Sequence, residues 1–177
     1  MIAARQGFLR AAYASCTKAG RGPCDDAAMA RRVEPSRKSP AERLEDLLAG
    51  YRDAPFPAGA VKYLERALSS SDSMPNAVKF FAWALLVPAS AALGTPESED
   101  RALEALAEAE RYLPAVQDEL GALFTRERDE LKWLETGISL LSDRAAFDEA
   151  LRLCDVALSL GYGRAFEAKK NSLVRMI

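Results

Sequence analysis

The sequence predicts an all-α protein: a short stack of antiparallel helical hairpins, as an α-solenoid or as a compact helical bundle. Three observations carry this expectation. No stretch alternates apolar and polar residues with period two over a useful length, so no strand is expected. Prolines, glycines and serine clusters divide the chain into segments that each have helical periodicity. Three of those segments repeat one pattern of compact side chains, Ala60-Leu64-Ala67, Ala102-Leu106-Ala109 and Ala150-Cys154-Ala157. Positions i, i+4 and i+7 share one helix face, so alanine at both ends of the stripe lets a neighbouring helix approach while the middle residue fills the gap. The copies begin 42 and 48 residues apart, within the range of helical-hairpin repeats. An alanine-rich chain also produces such stripes by coincidence.

Taken in order, Gly20 to Pro23 and Pro35 to Pro40 are rich in turn residues. Ser39-Pro40-Ala41-Glu42 reads as a helix start: serine caps the free amides, proline suits the first helical position, and glutamate completes a capping box. This helix is expected to end at Gly50. Asp53 to Pro57 is a linker, Ala58 to Leu68 the next helix, and Ser69 to Asp72 its stop. Pro75-Asn76 opens an apolar helix running to Gly94. That run is too short for the ~20 residues of a membrane span and Pro88 interrupts it, so it reads as the most buried helix of the fold. Glu97 to Leu113 follows, with Pro114 expected to separate it from a long stretch ending near Ser142. Within that stretch the charged run Arg126 to Glu130 reads either as a solvated mid-helix patch or as a break between two helices. Ala146 to Leu160 and Arg164 to Ile177 form the last pair.

Composition bounds the chemistry. With 177 residues, 49% hydrophobic and 28% charged, the chain has the make-up of an ordinary globular protein. Its 24 basic and 26 acidic residues nearly cancel, which argues against nucleic-acid binding through phosphate neutralisation. The absence of histidine excludes Ser-His-Asp triads, Cys-His dyads and imidazole metal sites. Cys16, Cys24 and Cys154 lack the spacing of a zinc site and are odd in number, so reduced thiols in the cytoplasm are expected. No phosphate-binding or serine-elbow motif occurs. No catalytic residue, metal or cofactor is expected, and the chain reads as a non-enzyme.

Charge divides the chain at its head. Residues 1 to 40 hold eight basic residues against Asp25, Asp26 and Glu34, leaving the acidic excess to the rest. Residues 1–38 therefore read as a basic N-terminal helical extension and 39–177 as the helical-hairpin domain. Arg5 and Arg10 interrupt any secretory apolar core. The acid-free residues 1–24 have the composition of a mitochondrial-type presequence, which stands as the alternative to an ordinary first helix.

Phe147-Asp148-Glu149-Ala150, followed by Cys154 and by Ala157-Leu158, resembles the second helix of a tetratricopeptide repeat. Ala145 stands where that family usually has a turn glycine, and Gly161-Tyr162-Gly163 replaces its proline-bearing exit. Trp133 or Leu134 offers the early large residue of the preceding helix, which lacks the family's Leu-Gly pair in register. Ala165 to Arg175 looks like a further opening helix or a capping helix. The resemblance covers residues 131–177 and extends less specifically to the two earlier stripes. It implies a right-handed stack whose concave face binds a peptide or protein, as a scaffold or adaptor does. By the family's pattern that face would hold Lys132, Glu135 and Ser139, with Lys169 and Lys170 near the equivalent place in the next helix. Two alternatives stand beside it: a self-associating homodimeric module, and a small-molecule or lipid-binding bundle using Phe80, Phe81 and Trp83.

Overall fold

The computed structural model describes residues 38–70, 74–127 and 131–176. Expectations for the basic head, including its targeting role, Cys16 and Cys24, lie outside the described residues. These fold into α1 (Pro40–Asp53), α2 (Ala58–Ser69), α3 (Asn76–Ala91), α4 (Pro96–Leu120), α5 (Ala122–Glu127), α6 (Trp133–Asp143), α7 (Phe147–Ser159) and α8 (Arg164–Val174), with no strand among them. The chain is all-α, as its pattern predicts.

The capping box at α1 forms as expected. The Glu42 amide donates to Ser39 Oγ at 3.2 Å, and the Ser39 amide donates to Glu42 Oε2 at 2.7 Å. The Ser39 amide and the Ser39 hydroxyl, both donating to Glu42 Oε2, hold the Glu42 carboxyl below its ordinary pKa. The helix nevertheless runs through Gly50 to Asp53, correcting its expected end. Gly50 is a packing residue: a Cβ there would collide with the Tyr63 ring of α2, whose hydroxyl donates to the Asp46 carbonyl at 3.4 Å. Glycine costs about 0.5–1 kcal/mol inside a helix, and the close approach of α2 offsets it.

α3 forms the centre of the fold. Almost all its residues from Ala77 to Ser90 are buried, and it packs against α1, α2, α4 and α6, most broadly against α4. Phe80 meets Phe81, Phe124 and Trp133 edge-on, with ring centroids 5.4, 5.8 and 5.4 Å apart. The N-cap of α3 is Pro75, which has no capping side chain. Instead Glu119 near the end of α4 accepts the Ala77 amide at 3.2 Å.

That bond helps explain a second correction. Pro114 does not end α4, which continues to Leu120. A proline inside a helix removes one hydrogen bond and crowds the preceding turn. Here the burial of Val116 and the Glu119 cap hold the last turns against α3. The chain breaks instead at Gly121, whose φ of +48° favours glycine. α5 is described to Glu127, and Leu131 and Lys132 are non-helical before α6 begins at Trp133, while the remainder of the charged run, residues 128–130, lies outside the described residues.

The small-residue stripes lie where helices meet. Every member is buried except Ala67, which is half-exposed. Gly137 of α6 adds a close approach, because a Cβ there would come within 2.8 Å of Leu106 on α4. The turn into α7 places Ala145 at φ +57°, at the position where the resemblance expects glycine.

Ion pairs link α2, α4 and α7. Arg101 of α4 reaches Glu65 of α2 at 3.3 Å, and Arg152 of α7 reaches Glu110 of α4 at 2.6 Å. Arg144, at the end of α6, holds Asp100 at 2.7 Å and Glu99 at 3.5 Å in the first turn of α4.

Candidate functional site

The end of α1, the end of α3 and the start of α6 enclose a pocket of about 320 Å³. α1 contributes Leu48, Tyr51 and Arg52, whose spacing of three and four places them on one helix face. Phe56 follows from the linker, α3 presents Leu85 and Pro88 one turn apart, and Glu127, Leu131 and Lys132 close the remaining side. Leu48, Leu85 and Leu131 are part of the core, so the floor is rigid and apolar. Phe56 is different: it is 60% exposed at the rim. Burial pushes the Tyr51 hydroxyl above its ordinary pKa, so it stays protonated.

Among the described residues the polar rim holds Arg52, Lys132 and Glu127, and Arg126 holds Glu127 at 2.8 Å with only 12% of the Glu127 side chain exposed. Lys132 is exposed and makes no ion pair among the described residues. It also occupies the N-cap of α6, where lysine has no acceptor to offer the first amides, so the positive end of the helix dipole adds to its charge.

The structure divides the residues selected from the sequence. Lys132, Glu135 and Ser139 form one exposed stripe along α6, starting at the pocket. Lys169 and Lys170 belong to α8, which packs on α7. Lys170 binds Asp155 of α7, and both lysines lie near Cys154, opposing the rise in its pKa caused by burial. Lys170 is therefore turned towards α7, and neither lysine lines this pocket. Phe80 and Phe81 are fully buried core, and Trp83 is half-buried beneath the Arg101 guanidinium, 5.5 Å from its ring centre. A shallower depression beside Trp83 is lined by Arg101, Glu104 and Glu108, all held in ion pairs.

Sequence reasoning missed Arg52, Phe56, Glu127 and Leu131 as pocket residues. One signal for Phe56 was present: a large aromatic between Pro55 and Pro57, in a linker that no helical pattern buries. Arg52 gave none, because its role depends on how α1 crosses α3.

Among the described residues, no group of acidic or thiol side chains is arranged to hold a metal ion, and no helix is long and apolar enough to cross a membrane. Comparison with protein-family models, curated proteins and solved structures finds no match.

Proposed function

We propose that this chain is a non-enzymatic binding module of stacked helical hairpins, holding a segment of a partner protein where α1, α3 and α6 meet. One observation carries the proposal. Among the described residues the pocket is lined by α1, α3 and the approach to α6, with Phe56 of the linker and Glu127 of α5, and by no residue of α2, α4 or α7. A groove lined by first helices is what the tetratricopeptide resemblance implies for peptide binding. The ion pairs from α4 to α2 and α7 support the same division, tying second helices together away from the pocket. Lys132, Glu135 and Ser139 extend the contact surface along α6, and Lys169 and Lys170 are left out of it.

The test is affinity capture from host lysate with the intact chain, comparing wild type, Lys132→Glu and Lys169→Glu. Capture lost in the first variant and retained in the second is the expected result. A captured protein indifferent to Lys132 would place its binding elsewhere.

A further inference from the structure

We infer that residues 114–127, the last turns of α4 together with α5, form a flap that opens as a unit while the rest of the fold stays closed, uncovering the aromatic cluster of Phe80, Phe81 and Trp133. Two backbone features set its hinges. Pro114 has no amide to donate to the Glu110 carbonyl, so the hydrogen-bond ladder of α4 lacks a rung where the flap begins. Gly121, at φ +48° and ψ −118°, breaks the helix in a conformation that side-chain-bearing residues avoid. Bending at these two points sacrifices less regular backbone bonding than bending elsewhere in α4.

The side chains change character at the same proline. Among the described residues, the ion pairs that join α4 to other helices use Glu99, Asp100, Arg101 and Glu110, all before Pro114. Beyond it, Arg126 pairs with its own neighbour Glu127, inside the flap. What holds the flap down is the bond from the Ala77 amide to Glu119 and the burial of Val116 and Phe124, with Leu120 and Leu123 only partly buried. Phe124 is the plug. It stands edge-on to both Phe80 and Phe81, with ring centroids 5.8 and 6.2 Å away, and Phe80 in turn meets Trp133. A segment with few buried side chains and a weakened junction to its own helix opens below the free energy of global unfolding. Glu127 at its far end also lines the pocket between α1, α3 and α6, so opening displaces one wall of that pocket.

The experiment is hydrogen–deuterium exchange of the intact chain, read by mass spectrometry, on wild type, Pro114→Ala and Phe124→Ala. Peptides from the flap are compared with peptides from the part of α4 before Pro114, after correction for intrinsic rates, and circular dichroism with thermal melting verifies that each variant folds. In wild type the flap amides should exchange together, roughly tenfold or more faster than those of the earlier turns. Phe124→Ala removes the plug and should speed them by roughly another tenfold while the earlier turns keep their protection. Pro114→Ala restores the missing backbone bond and should slow them. Equal protection on both sides of Pro114 in wild type would overturn the flap. So would a change shared equally by the two parts of α4 in Phe124→Ala, or flap exchange indifferent to Pro114→Ala.

Discussion

Arg152 of α7 and Glu110 of α4 meet through a two-pronged ion pair, with nitrogen–oxygen distances of 2.6 and 2.8 Å between residues 42 apart in sequence. Glu110 raises the pKa of the Arg152 guanidinium by accepting these bonds. The Arg152 side chain is 55% exposed, so solvent screens much of the attraction. A double-mutant cycle of Arg152→Ala and Glu110→Ala is expected to give a coupling of about 0.5–1 kcal/mol, the upper part of the range for exposed pairs, falling as salt rises. A coupling indistinguishable from zero at low salt would show that apolar packing alone joins α4 to α7.

Ala157 is fully buried on the face of α7 that meets its neighbours. Ala157→Leu should overpack that face and cost on the order of 1–3 kcal/mol. Ala67 occupies the corresponding place in α2 but is half-exposed, so Ala67→Leu should cost well under half as much. Thermal melting of the two variants checks the contrast, and equal losses would contradict the difference in burial.

Ala145 pays for its left-handed backbone, at φ +57°, without burying its methyl group. An L-residue with a side chain is strained in that region by ~1–2 kcal/mol, and glycine's extra freedom when unfolded takes back part of the relief. Ala145→Gly should therefore stabilise the chain by roughly 0.5–1 kcal/mol net. Denaturant unfolding measures it directly, and a loss of stability would mean that the methyl group makes a contact of its own.

Burial raises the pKa of the Cys154 thiol; Lys169 and Lys170 oppose the rise and Asp155 adds to it. The folded state then holds the thiol proton more tightly than the unfolded chain. The resulting stability is complete below the unfolded pKa of about 8.5 and is lost as pH rises through the folded value. Urea unfolding between about pH 8.5 and 9.5 should show a decline that is shallower in Cys154→Ala, although that variant starts from lower stability. Parallel profiles would show that the thiol is solvated.

Periodicity and capping made the helices legible. Ser39 and Glu42 announced α1, and the three stripes announced which faces touch. What misled was punctuation by single residues. Gly50 and Pro114 look like helix ends locally, but Tyr63 needs the space beside Gly50, and Glu119 is needed by the Ala77 amide, so both helices continue. The pocket was legible only at Lys132. Leu48, Leu85 and Leu131 are ordinary core leucines in the sequence, and their joint role arises from helices that cross far apart along the chain.

The chain has two tryptophans in opposite surroundings. Trp133 is sealed against Phe80, whereas Trp83 is half-buried under the Arg101 guanidinium. Their emission should separate into a blue component shielded from iodide and a redder one that iodide quenches. Replacing Trp83 with phenylalanine leaves a single indole, next in the chain to Lys132, as an intrinsic optical reporter of whatever settles into the pocket.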